Sequence, residues 1–342
     1  MKPGTTLQGA GPGGTVLVSG TAMPAVIHLE RVGGPMTVIR DLFICGPLGG
    51  NWNCDGIFLD GTNGVTIRDC WLGAFRRGIY MKGVSDHWPR NLLLEHNQHA
   101  IYIVGGNLKQ GELPGPFQCN LRMYDCSAYM NYQGAFHVEN LRGAQIHGCT
   151  GIASGYFLSL KRCTNVTITG GSANWSGPYV RHGVRIEECF LITMTGCSID
   201  GQAEYGLSAI DSRLMTISDN VFSNTRAGPG VRLESCAQSS FRGNVLSQSL
   251  GASLHLSGVR DLIVARNVIE GHGQVIGGYA SARGDESARS KFALVCDGES
   301  SRCSFVDNIV QPNKTPGDSI HIAEDSRAIE IRSPAWKDAE NR

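Results

Sequence analysis

Eight polar residues fall at matching places in segments spaced by roughly 23 residues: His137 and Glu139, Lys161, Arg185 and Glu187, Asp211, and Arg232 and Glu234. Their types suit two chemistries. Glycoside hydrolysis needs a carboxylic acid to protonate the leaving oxygen and a carboxylate as nucleophile or base. Glu187 with Asp211, on consecutive segments, would lie near the shorter, retaining separation. Glu187 with Glu234, two segments apart, would approach the longer, inverting one. Elimination from a uronate needs a base instead, such as Lys161, His137 or an arginine, and a cation for the enolate-like charge. Lys161 beside Arg185 and Glu139 suits that role equally well. Acids so close raise one another's pKa unless a cation intervenes, and Arg185 and Arg232 could be that cation. The same set then reads as a neutralised ion-pair ladder on a solvated face. Phe58, Tyr80 and Tyr102 take the matching place on three earlier segments, where solvated rings would suit stacking on sugars. Trp88 is expected beside them, in the stretch 82–90, as a further substrate-binding side chain with Arg232 and Glu234.

These residues share a face only if the segments stack in register. The phrase Asp-Asn-Val-Phe-Ser at 219–223 returns as Gly-Asn-Val-Leu-Ser at 243–247. The marker continues downstream at Asn267 and Asn308, and upstream at Cys197, Gly171, Cys149, Cys126, Asn97, Cys70 and Leu42. Asn is expected to take a left-handed turn there and to bond the amides above and below, while Cys packs as a small hydrophobe. An alternating strand precedes each marker, as in Val65-Thr66-Ile67. A short strand, a variable loop and a Gly-led alternating strand follow, as in Gly78-Ile79-Tyr80-Met81 or Gly183-Val184-Arg185-Ile186. Alternation of period two means a strand with one buried face. No helical period is sustained. The expected fold is therefore an all-β solenoid of about 11 coils, each of three short strands. The middle outward column of the Gly-led strands would run from His28 through Phe58, Tyr80, Tyr102, His137, Ser159, Arg185 and Ala209 to Arg232, His255 and His321. The column two residues on would include Glu139, Lys161, Glu187, Asp211 and Glu234.

On its recurring Asn/Cys turn and Gly-Ile-x-Leu strands, the sequence resembles the right-handed parallel β-helix, or pectate-lyase-like, superfamily over nearly its whole length. The resemblance implies a single-stranded right-handed helix whose outward sheet face lines a substrate groove. It also implies a carbohydrate-active enzyme, a polysaccharide lyase or glycoside hydrolase; a glycan-binding adhesin of the phage-tailspike type, trimeric if so, is the alternative, and a structural spacer a third reading. The expected partner is a poly- or oligosaccharide. Gly271-His272-Gly273 resembles a polygalacturonase segment, but that family's Asn-Thr-Asp and Asp-Asp segments are missing, so His272 reads as a loop residue. The Asp-Pro-His-Asp signature of alginate epimerases is also missing.

Composition bounds the rest. Lys plus Arg equals Asp plus Glu at 30 each, which gives no basic footprint for nucleic acid. No apolar run is long enough for a membrane span. The N-terminal stretch has no apolar core of a signal peptide, so the chain is expected in the cytoplasm, or secreted or virion-associated if its start is trimmed. The superfamily's usual capping helix is not seen before the first coil at 4–17, and a removed segment or a partner is expected over that end. The β-helix domain is expected to span 1–332, with an inserted polar loop at 271–291 and a tail at 333–342. The cysteines, with no CxxC, read as stacked core thiols and not as zinc ligands. Cys45/Cys54 and Cys296/Cys303 remain open as disulfides. No metal or cofactor is expected, with calcium left open.

Overall fold

A computed structural model describes residues 4–20, 23–33, 36–47, 52–106, 119–174, 181–271, 290, 292–310 and 320–332. The inserted loop beyond Gly271, with His272, and the tail fall outside them. All regular structure among the described residues is β-strand. The chain divides into two compact units, Met1–Ser172 with Ser176–Tyr179, and Ala173–Trp175 with Val180–Arg342. Both are built of the expected coils, about 11 in all.

In the first unit the Gly-led strands are Ala25–Glu30, Asp55–Asp60, Arg77–Lys82, His99–Val104, Gly134–Glu139 and Tyr156–Lys161. Each pairs in parallel with the next, with Phe58 opposite Tyr80, Tyr80 opposite Tyr102, Tyr102 opposite His137 and His137 opposite Ser159. Their alternate residues Ile57, Ile79, Ile101, Phe136 and Leu158 are buried and stack like on like. Burial of these side chains at each rung, at about 25 cal/mol per Å² of apolar surface, is the main stabilising term.

In the second unit the corresponding strands are His182–Glu187, Tyr205–Ile210, Val231–Glu234, Leu254–Ser257, Leu294–Asp297 and Ile320–Ile322. Here the expected register slips by one on the strand Tyr205–Ile210, while Arg232 opposite His255 is as expected. Arg185 is opposite Ser208 and Glu187 opposite Ile210. Ser208 is in turn opposite Arg232, and Ile210 opposite Glu234. Ala209, placed in the outward column from sequence, is fully buried. Asp211 leaves the strand altogether: it sits in the corner with φ 49°, matching Glu188 and Ser235 at φ 52° and 51°. The small inward Ala209 beside an apolar outward Ile210 blurs the alternation that set the register elsewhere.

The Asn markers form a buried ladder in this unit. Asn220 donates its backbone N–H and its Nδ2 to Asn244 Oδ1, both at 3.0 Å. Asn244 does the same to Asn267 at 2.9 and 3.1 Å, and Asn267 to Asn308 at 3.0 and 2.8 Å. The left-handed residue is not the Asn but the one before it: Asp219, Gly243, Arg266 and Asp307 have φ between 52° and 63°. In the first unit, Asn97 does not belong to this series. Leu92, opposite Cys70, holds the marker position. Asn97 instead joins Asn131 in a separate buried ladder at another corner, donating Nδ2 to Asn131 Oδ1 at 3.0 Å.

Trp88 is also displaced from its expected place. It opens the strand Trp88–Glu95 of a different sheet, opposite Thr66, where Arg122 lies over its ring at 5.4 Å. It is not on the face of Phe58 and Tyr80. Cys45, Cys54, Cys296 and Cys303 are all free thiols. Burial pushes Cys70, Cys236 and Cys303 up to about 11, which keeps them protonated and unreactive as core thiols.

Candidate functional site

The outward aromatic column of the first unit is a self-stacked ladder. The His28 and Phe58 rings lie 4.7 Å apart at 5°, and Phe58 and Tyr80 4.8 Å apart at 11°. Strand spacing and ring-stacking distance coincide, so the rings cover one another's faces. The expectation that these faces would be offered to sugars is therefore not met for Phe58, whose ring lies between those of His28 and Tyr80.

The ladder breaks after Tyr80. Tyr102 is tilted 60° from it, with centroids 6.1 Å apart. Arg77 wedges its guanidinium 3.4 Å over the Tyr80 ring. Arg77 is held by Asp55, a buried carboxylate that accepts from Arg77 Nε and Nη2 at 2.9 and 2.6 Å and from Arg76 Nε and Nη2 at 3.1 and 2.9 Å. Two guanidiniums on one carboxylate leave a net positive charge beside the break.

Beyond the break several groups converge. His137 stacks on Tyr102 at 4.3 Å, and its Nε2 lies 3.5 Å from Glu139 Oε2. Glu139 is ion-paired with Arg162, which also donates its Nε to Asn140 Oδ1 at 2.8 Å. Lys161 is opposite Glu139 on the next strand. The His137 hydrogen bond, with Arg162 and Lys161 behind it, holds the Glu139 carboxyl below its ordinary range against the opposing effect of burial. Glu139 is thus a carboxylate and a poor proton donor. The Tyr156 hydroxyl lies 3.0 Å from His99 Nδ1. Burial, then the neighbouring His137 and Arg77, push His99 down to about 4, so it is neutral at physiological pH. In the tautomer that carries its proton on Nδ1, a neutral His99 donates to the Tyr156 oxygen and leaves the phenolic proton free.

Asp55, Arg77, His99, Gly134 and Tyr156 were not among the residues singled out by sequence, yet they form one register column. Asp55, Arg77, His99 and Gly134 each immediately precede the Gly or Ala that opens the inward part of the strand, and Tyr156 precedes Phe157 at the same place; that position was the available signal.

The second unit carries the other sequence-derived residues. Arg185 donates Nε to Glu187 Oε1 at 2.6 Å, and Arg232 pairs with Glu234 while donating Nη1 to the Tyr205 hydroxyl at 3.2 Å. Each acid is therefore matched to the arginine two residues before it on its own strand. With Ile210 between Glu187 and Glu234 and Asp211 off the face, the expected run of three carboxylates on consecutive coils does not exist.

These features define a right-handed parallel β-helix protein. A family profile described as periplasmic copper-binding protein (NosD) matches residues 119–294 of the 342. The chain belongs to the NosD family. Among solved structures, it is similar to the A-module of the mannuronan C-5 epimerase AlgE6 of Azotobacter vinelandii, at 17% identity and a TM-score of 0.54 over 97% of this chain and 84% of that one. It is similar to the catalytic unit of a GH87 α-1,3-glucanase of Streptomyces thermodiastaticus, at 11% identity and a TM-score of 0.51 over 97% of this chain and 61% of that one. Tailspike protein 3 of bacteriophage CBA120 is similar at 15% identity and a TM-score of 0.50, with 90% of this chain covering 50% of the tailspike. At these identities the likeness is one of fold. No curated protein sequence matches.

The family's description names copper, and the described residues do not fit a copper site. No three His, Cys, Asp or Glu side chains among them gather where they could hold a metal ion. The best soft donors, such as the Cys70, Cys126 and Cys236 thiols, are core-buried with raised pKa. No helix among the described residues is long and apolar enough to cross a membrane.

Proposed function

We propose that this chain acts on an acidic polysaccharide on the outward sheet face of its first unit, by removing the proton next to a uronate carboxylate. The observation that carries this reading is the Tyr156 hydroxyl on a neutral His99, set among cations, on a face whose site acids are already committed. Glycosidase chemistry needs a carboxylic acid with a raised pKa. Asp55 is locked by two arginines and Glu139 by Arg162 and His137, so neither is suited to give a proton. Uronate chemistry needs cations, a base and a proton donor instead. Arg77 and Lys161 stand on strands three spacings apart, about 14 Å, and bracket Tyr102, His137 and Tyr156. A chain with repeating carboxylates could engage both ends.

In this reading His137, oriented by Glu139, takes the proton from the carbon next to the carboxylate. The electron pair spreads onto that carboxylate, whose charge Lys161 offsets. Tyr156 then gives its hydroxyl proton either to the departing glycosidic oxygen, as the carbon–oxygen bond breaks and an unsaturated sugar forms, or to the opposite face of the same carbon, giving the epimer. His137 returns its proton to water, and Tyr156 is reprotonated from water through the site. The His137 and Tyr156 ring centres are 6.5 Å apart, close enough for both side chains to address one sugar unit. In line with the family's description, we place the protein in the periplasm.

A panel of uronate and neutral polysaccharides in deuterated water tests this. Deuterium at the carbon next to the carboxylate is expected for at least one uronate polymer, with ultraviolet absorbance if elimination follows. Reducing ends without deuterium would mean hydrolysis, and binding without either would mean a binding protein; both outcomes would overturn the reading.

A further inference from the structure

Tyr156 and His99 are not on neighbouring coils. His99 is opposite Gly134, and the Gly134 strand is followed by the Tyr156 strand, so their Cα atoms are two strand spacings apart, about 9.6 Å. A tyrosine ring can close that gap only by lying across the residue between them. A Cβ at position 134 would fall on ring atoms Cζ, Cε1 and Cε2 of Tyr156. The ring occupies the space that any other side chain at 134 would fill. Gly134 has no left-handed φ, so its backbone would accept alanine without strain.

The second unit shows what happens without such a gap. His182 and Tyr205 hold the same column position on consecutive coils. There the two rings stack, with centroids 5.7 Å apart and planes 10° from parallel, and the Tyr205 hydroxyl accepts from Arg232. Adjacent His and Tyr in this column meet face to face. Separation by a coil without a side chain lets the hydroxyl meet the imidazole nitrogen head-on.

We infer that Gly134 is a positioning residue for the reaction proposed above: its missing side chain is what lets Tyr156 reach His99 and present its hydroxyl beside His137. This inference rests on that reading of the function. Through Tyr156, Gly134 decides whether the proton removed by His137 is followed by a proton delivered to product.

The test compares Gly134→Ala and Tyr156→Phe in the full chain on whichever uronate polymer the wild type converts. Both variants are expected to lower kcat for product about 100-fold, the usual contribution of a positioned acid, with KM little changed. The second readout is independent of activity. Nitrogen NMR of His99 is expected to show a hydrogen-bonded Nδ1 in the wild type and loss of that hydrogen bond in both variants. A thermodynamic cycle covers folding: Gly134→Ala should lower Tm in the wild type and have little effect in a Tyr156→Ala background, where the ring is gone. If Gly134→Ala keeps the His99 signal and the rate, the inference is wrong while the functional reading stands; if Tyr156→Phe stays fully active, the inference and the role of Tyr156 in that reading fail together. If the wild type converts no uronate polymer, the functional reading fails and the catalytic part of this inference fails with it; the NMR and Tm arms then still decide whether the glycine sets the Tyr156 position.

Discussion

Asn244→Ala should be among the most damaging single substitutions in the second unit. Asn244 is fully buried and takes part in four side-chain hydrogen bonds: its Oδ1 accepts from the Asn220 N–H and Nδ2 at 3.0 Å each, and its Nδ2 donates to Ile217 O at 3.0 Å and Asn267 Oδ1 at 3.1 Å. Alanine removes all four. Asn220 Nδ2 keeps Met194 O, and Asn267 Oδ1 keeps the Asn244 N–H. The Asn220 N–H loses its acceptor. One orphaned buried donor costs about 1–3 kcal/mol, and each further lost bond about 1 kcal/mol. A total of about 4–6 kcal/mol follows, to which a small cavity adds. Urea unfolding gives the global change, and hydrogen exchange at the Asn220 amide gives the local one; that amide should exchange much faster in the variant. Gln145→Ala, which removes an exposed 2.9 Å bond from the Tyr124 hydroxyl, is the surface control and should cost about 0.5 kcal/mol or less. A loss below about 1 kcal/mol for Asn244→Ala, with unchanged Asn220 exchange, would refute the claim that the amide ladder holds these coils in register.

Acid should loosen the first unit through His87. This residue is buried, with Nε2 2.9 Å from Thr62 Oγ1 and Nδ1 accepting the Val65 N–H at 3.3 Å, and burial pushes it down to about 4. Protonating Nδ1 would set two N–H groups against each other. Because the folded pKa lies below the unfolded value near 6.5, the unfolded chain binds the extra proton first. Stability is therefore full above about pH 6.5 and falls towards pH 4 by about 3 kcal/mol; denaturant midpoints against pH, with His87→Gln flattening the slope, check this. Asp211→Asn should leave both activity and stability within about 0.5 kcal/mol of wild type, since Asn tolerates the left-handed corner and the residue is off the sheet face. Glu139→Gln should weaken the hold on Arg162 and His137 and lower kcat for uronate turnover by about 10-fold or more, read by the deuterium assay. Native protein should react slowly with a thiol reagent at Cys70, Cys126 and Cys236 and quickly once unfolded, followed by mass spectrometry.

The repeat made the coils legible because stacking forces like onto like: Ile57, Ile79 and Ile101 write one inward column, and Phe58, Tyr80 and Tyr102 one outward column. Three features resisted reading for separate reasons. Ser208-Ala209-Ile210 lacks the polar contrast that fixes a period of two, so Asp211 was pulled one place into the sheet. Asn97 was matched by residue type, although Leu92 holds the position and the inserted stretch before Cys119 hides the true spacing. The corner column escaped because two inward residues in succession, as in Gly78-Ile79, break the alternation just where Arg77, His99 and Tyr156 stand.

The last of these misses bears on function. A β-helix satisfies its side chains by stacking each on its copy in the next coil, and a residue so stacked is spent on structure. The ring faces of Phe58 show this; the charge of Arg185 is likewise spent, on Glu187 of its own strand. Reactive capacity is left where the copy is missing or wrong. Among the described residues of the first unit, such a break is seen where Arg77 wedges against Tyr80, Tyr102 turns out of the stack, and the bare Gly134 opens a path from Tyr156 to His99. A sequence search for function in this fold should therefore look for breaks in a column and not for its longest run. Gly134, the residue with nothing to stack, is such a break.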